Sequence, residues 1–277
     1  MPNISPIEQT SRNAIDLIAT IDEIKSLEFI KSDFETEAEY FDRVSQLYSE
    51  YDARRYEFEL GCSHKEENFS GGPQAALTSY DVNREVLTLN LARPQNNLVP
   101  MQRGSDVELN WHYYSFIEVT KTEPEYSAYT ASNSFGREVE VVKVESEQKG
   151  VALLFDGVRV FEAMREVSGS SNPAERMPLI EFPLSRDVAE AVFSTCRVVF
   201  DIQSAFNDIW PIYRYNFISQ SEDIRSMLFA KKTEVTPTIA RPAHIIEERF
   251  GIPVYLLSVS VTDESGDVLY RKEFNGQ

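Results

Sequence analysis

The chain has 277 residues, of which 42% are apolar and 12% aromatic, enough to fill a core, so a largely disordered chain is excluded. Its 45 acidic and 27 basic side chains leave a net charge of −18, and residues 1–70 hold half of it, with 16 acids and 7 bases. Such a surface repels phosphate backbones, which argues against direct nucleic-acid binding, and no apolar run approaches the ~18 residues of a membrane helix, so no membrane insertion is expected.

In chain order, a first helix is expected over residues 11–28, with Ala14, Leu17, Ile18, Ile21 and Ile24 in one stripe and Ser11 or Thr10 as cap. A second runs from Glu37 to Arg54 or beyond. Thr36 is its N-cap, Glu39 completes a capping box, and Phe34, Tyr40 and Phe41 are placed to staple its start to a core. Gly61–Pro73 reads as a loop. Strands come next at Leu77–Tyr80 and Glu85–Leu91, then a crossing loop over Arg93–Asp106.

His112–Lys121 is rich in β formers, and Ser127–Ala131, Glu138–Glu145, Gly150–Phe155 and Val158–Phe161 continue as strands. Val139 and Val141 alternate on one phase, Val142 and Val144 on the other, a slip compatible with a bulge. Ser168–Pro178 has a linker composition. Beyond it come a strand at Leu179–Pro183, a helix capped by Ser185, and a strand at Arg197–Ile202. Ile212–Ile218 is a strand or an irregular segment. Helical spacing marks Glu222–Lys232, and Ala243–Arg249 suits a short helix. A hairpin of Val254–Thr262 with Asp267–Phe274 turns at Glu264-Ser265-Gly266.

The pattern predicts an α+β fold: an N-terminal helical pair, then a largely antiparallel β-sheet or partial barrel, with a second, smaller α+β lobe. The segments are 1–60 (helical), 61–167 (β-rich) and 179–277 (α+β).

Cys62-Ser63-His64 is the closest approach to a reactive pair, but Glu66 and Glu67 would raise the thiol pKa, and an ordinary loop explains it better. Two cysteines with His64, His112 and His244 scattered along the chain do not make a four-ligand zinc site. Asp263–Asp267 suits hairpin turn chemistry better than calcium. Gly136 suits a turn with φ > 0, and Arg241-Pro242-Ala243-His244 lies near a bend. No catalytic, cofactor-binding or metal residue is assigned, and no cofactor is called for. Cys62 and Cys196 allow one disulfide or two reduced thiols.

Phe34, Glu35, Thr36, Glu39, Tyr40 and Arg43 form an F-E-T-x-x-E-Y-x-x-R pattern. It resembles a segment of uncharacterised bacterial proteins, often exported, that also carry an N-A-F-G-like turn, similar to Asn133-Ser134-Phe135-Gly136. A late strand pair with Asp263, Gly266, Val268 and Leu269 is similar too. The resemblance implies bacterial origin and no established activity.

The expectation is a non-enzymatic interaction or structural protein with a protein partner, a basic one being favoured by charge. The alternatives are an acidic inhibitor or nucleic-acid mimic and a hydrolase. Met1–Thr10 has neither a basic nor an apolar leader region, so a cytoplasmic place is expected for the chain as it stands, and the envelope or periplasm if an export signal was removed.

Overall fold

The computed structural model describes residues 14–27, 31–63, 76–90, 98–99, 102–103, 108–109, 112–132, 136, 138–155, 179–193, 195–207, 228, 231–238 and 240–274. Expectations at Val158–Phe161, Ser168–Pro178 and Ile212–Ile218 lie outside them.

Two helices open the fold, α1 (Ile15–Ser26) and α2 (Glu37–Tyr51). The α1 stripe buries Leu17, Ile21 and Ile24. Ala14 holds its N-cap position without a side-chain bond; Ser11 and Thr10 lie outside the described residues.

The F-E-T-x-x-E-Y-x-x-R segment is explained almost entirely by how α2 starts. The Thr36 hydroxyl accepts from the Glu39 amide, and Glu39 accepts from the Thr36 amide at 2.8 Å. Arg43 clamps Glu35 with two hydrogen bonds of 2.9 and 3.0 Å and lies over the Tyr40 ring. Phe34 departs from the expected staple, being 98% exposed, while Tyr40 is buried and Phe41 half-buried. The helix also ends earlier than expected. Asp52 is already extended, Ala53 takes a left-handed φ of 55°, and the Ser204 hydroxyl receives the Arg54 amide.

After α2 the chain runs as strand, not as helix or loop. β1 (Arg55–Ser63) occupies the end of the expected helical segment and the start of the expected loop. Its alternation, Tyr56, Phe58 and Leu60, faces the core. The remaining strands are β2 (Ala76–Asp81), β3 (Val86–Asn90), β4 (Leu98–Val99), β5 (Gln102–Arg103), β6 (Glu108–Leu109), β7 (His112–Lys121), β8 (Glu125–Ser132), β9 (Glu138–Phe155), β10 (Leu179–Pro183), β11 (Arg197–Ser204), β12 (Lys231–Val235), β13 (Ala243–Thr262) and β14 (Val268–Glu273). The expected crossing loop thus contains two short strands. A third helix, α3 (Arg186–Val192), has Ser185 at its N-cap position, but the Ser185 side chain makes no cap bond.

The fold is α+β. One twelve-stranded sheet runs β10-β3-β2-β1-β11-β13-β9-β7-β4, with β12 and β14 added to β13 and β8 to β9; β5 and β6 form a separate pair. Only β1–β2 and β9–β13 are parallel among the described pairings. Strands from residues 1–60, 61–167 and 179–277 therefore hydrogen-bond side by side. Phe182 of β10 stacks on Tyr270 of β14 at 4.6 Å, so the β10 edge curls back toward β14. Phe58 stacks on Phe200 at 4.7 Å inside that curl. Cys62 and Cys196 form a disulfide where β1 leaves β11.

Two expected helices fall instead on β13 and its neighbour β12. Ala243–Arg249 is its first third, not a helix: every residue pairs with β9, from Ala243 opposite Val142 to Arg249 opposite Gln148. Of the expected Glu222–Lys232 helix, Lys231 and Lys232 belong to β12, and most of the rest lies outside the described residues. Helical spacing and strand alternation overlap in short runs, and two waiting neighbour strands decide between them. The expected bulge in Glu138–Glu145 is also absent. Its pairing with β8 runs unbroken, with Val141 buried on one face and Val142 exposed on the other.

Candidate functional site

The long strands β9 and β13 outrun the rest of the sheet. Beyond the helices they form a four-stranded arm, β8-β9-β13-β12. Helix α1 marks the arm's inner face. Lys25 pairs with Glu147 and lies over the Phe250 ring, Lys149 pairs with Asp22 at 2.6 Å, and the Tyr56 hydroxyl reaches Thr20.

Residues of opposite parity face outward, and the registers place them in rows. One row crosses all four strands: Tyr126, Val144, Ile245 and Val235. The next holds Ala128, Val142 and Ala243. Tyr126 is 72% and Val142 44% exposed, and Val144 and Ile245 are half-buried. Exposed Glu138 and Glu140 border this apolar patch at the tip. Toward the body, Glu247 pairs with Lys121 at 3.6 Å and Arg249 bonds Gln148.

Beyond that polar band the outer face closes. Glu118 is 3% exposed, beside Gly150 and Gly251 in the next row. Its Oε1 has no hydrogen-bond partner among the described residues. The β7–β9 register shifts at this point, between Glu118 and Thr120. Burial pushes its pKa up to about 7; Lys121 and Arg249 oppose that shift and Glu247 adds to it.

This burial makes stability depend on pH. Below pH 4.5, the ordinary value, the carboxyl is protonated in both states and costs nothing. As pH rises toward 7, the unfolded chain sheds a proton that the folded chain keeps, so stability falls until Glu118 itself ionises. A shift of this size is worth roughly 3 kcal/mol. Urea unfolding should therefore show Glu118→Gln losing about 3 kcal/mol less than the wild type between pH 5 and pH 8; parallel losses would count against the assignment.

On the inner face of the arm, the Tyr129 hydroxyl meets His244 Nδ1 at 3.2 Å, and His244 Nε2 meets Glu234 Oε1 at 2.7 Å. The His244 bond holds the Glu234 carboxyl below its ordinary range, with help from Lys232 at 3.3 Å. Such a chain can move a proton. Tyr129 and Glu234 are each 39% exposed, however, so water competes for both and the surroundings are poorly suited to stabilise a developing charge.

The other sequence candidates fall elsewhere. Cys62 is in the disulfide and is no nucleophile, while His64 lies outside the described residues. His112 begins β7. Asp263 Oδ1 receives the Ser265 and Asp267 amides, as a hairpin turn requires. Gly136 has a φ of 76°. No motif announced Glu118, yet a lone acid between Phe116-Ile117 and Val119 in a strand was a legible sign of a buried charge.

Comparison with known protein families, curated proteins and solved structures found no match. No helix among the described residues is long and apolar enough to cross a membrane.

Proposed function

We propose that the protein is a non-enzymatic interaction protein that binds a protein partner on the outer face of the arm. The observation that carries this reading is the apolar row Tyr126–Val144–Ile245–Val235, exposed at its Tyr126 and Val235 ends and half-buried at Val144 and Ile245. An apolar centre with a polar rim is the usual anatomy of a protein interface. The Glu138 and Glu140 border, on a chain of net charge −18, favours a partner with a Lys/Arg rim.

The acidic-mimic alternative gains less support. Lys143–Glu145, Lys149–Glu147 and Lys232–Glu234 pairs interleave the signs along the arm, whereas a mimic needs an unbroken anionic surface. The hydrolase alternative rests on the exposed Tyr129–His244–Glu234 chain alone.

The Cys62–Cys196 disulfide supports an oxidising compartment. Together with the F-E-T-x-x-E-Y-x-x-R resemblance, it makes the bacterial envelope the proposed location.

The test is capture from a native extract with the wild type and with Val142→Lys/Val235→Lys. Both positions are exposed, so the variant should fold normally. A stoichiometric partner held by the wild type, lost with the variant and released by salt is expected. Equal capture by both proteins would sink the reading.

A further inference from the structure

The two edges of the arm differ. Edge strands left open to solvent pair with other chains unless charge, proline or a bulge blunts them. The β12 edge is blunted: its sequence K-K-T-E-V carries Lys231, Lys232 and Glu234. β8 has no such device. E-Y-S-A-Y-T-A-S contains no lysine, proline or glycine, and its pairing with β9 is free of bulges over all eight residues. Its side chains are exposed except for half-buried Ala131, and among the described residues its backbone pairs with no strand other than β9.

We propose that β8 pairs antiparallel with β8 of a second copy of this chain, joining two arms into one eight-stranded sheet. Charge selects the occupant. In a chain of net charge −18, β8 carries only Glu125, at one end, so two copies meet along an eight-residue strand with a single like charge each. Antiparallel pairing about a two-fold axis keeps like faces together, so paired residues have even-numbered sums. A register centred on Ala128 sets Tyr126 opposite Thr130 and Ser127 opposite Tyr129, and moves Glu125 away from its own copy. Aromatic–threonine and serine–aromatic neighbours suit a sheet. At ~3.4 Å per residue, the seven residues paired in this register give a contact of roughly 24 Å.

Two-fold pairing consumes both β8 edges, and the lysines of β12 oppose further growth, so the assembly closes as a dimer. The two outer faces become one wider apolar surface. This pairing uses the edge of the arm and not its outer face, so it stands or falls separately from partner binding.

Sedimentation of the purified full chain tests it, with Ala128→Lys/Thr130→Lys as the edge variant. That variant places lysine opposite lysine in the register centred on Ala128 and in the one centred on Tyr129. Both side chains are exposed, and an unchanged circular dichroism spectrum and melting temperature will show that the fold survives. The wild type should sediment with twice the chain mass at micromolar concentration, and more completely at high salt, which screens the like charges. The edge variant should fall to half that mass, while Val142→Lys/Val235→Lys stays dimeric. A monomeric wild type, or an edge variant that remains a dimer, would overturn the proposal. Dimers that dissociate as salt rises would do the same.

Discussion

Removing the Cys62–Cys196 bond is expected to lower the unfolding free energy by about 4 kcal/mol. The two cysteines are 134 residues apart in sequence, so the bond closes a long loop in the unfolded chain and removes much of its freedom. In the folded chain the bond adds little constraint, because β1 and β11 are already paired at this point and the Cys62 amide donates to the Cys196 carbonyl at 2.8 Å. The stabilisation therefore acts mainly on the unfolded state. Cys62→Ala/Cys196→Ala avoids leaving a lone buried thiol. Its urea midpoint should fall well below that of the wild type, with a steeper transition slope as the unfolded chain expands. An unchanged midpoint would show that the bond is absent or that the unfolded chain is already compact there.

Gly150→Ala should be nearly as damaging, costing about 3 kcal/mol or more. A Cβ at this position would overlap the Ile117 carbonyl oxygen and come within 3.0 Å of the Ile117 carbonyl carbon and 3.1 Å of Glu118 Cα. These are backbone atoms of the β7 bulge, held between β9 and the core, and they have nowhere to go. A Cβ at Gly251, in the same row of β13, would meet the edge of the Phe116 ring at 3.1 Å and the Ala152 amide nitrogen at 3.2 Å, contacts that a shift of a few tenths of an ångström relieves. Gly251→Ala is thus a matched control with a smaller loss. Equal melting temperatures for Gly150→Ala and the wild type would contradict the close approach.

Local signals carried much of the fold. The α1 stripe and the Thr36–Glu39 capping box each concern residues within one turn of each other, so sequence spacing alone placed them. β7 and β10 were read at their observed bounds because β formers and punctuation coincide there. The failures share a cause. Ala243–Arg249 has apolar residues at Ala243, Ile245 and Ile246 that suit a helix turn as well as a strand, and only the flanking β9 and β12 resolve it. Glu138–Glu145 and Gly150–Phe155 read as two strands because Ser146–Lys149 is polar. Those polar residues sit at the base of the arm, where Glu147 and Lys149 bind α1 and Gln148 binds Arg249. The arm was therefore invisible in the sequence. It exists because two long strands pair in parallel across more than a hundred residues, and no local pattern encodes that pairing.

The candidate surface was hidden for the same reason. Tyr126, Val144, Ile245 and Val235 come from four separate strands and meet only through register. His244 stands beside Arg241 in sequence, but its partners Tyr129 and Glu234 arrive from β8 and β12.

The most direct measurement of the arm's role is photocrosslinking in the native cell, with a photoreactive residue at Val142 and, as control, at Val82. Both positions are exposed, but Val82 lies in the turn between β2 and β3, away from the arm. A discrete adduct from position 142, absent from position 82, is expected if the outer face is the binding surface. No adduct from position 142, or the same adducts from both positions, would contradict it.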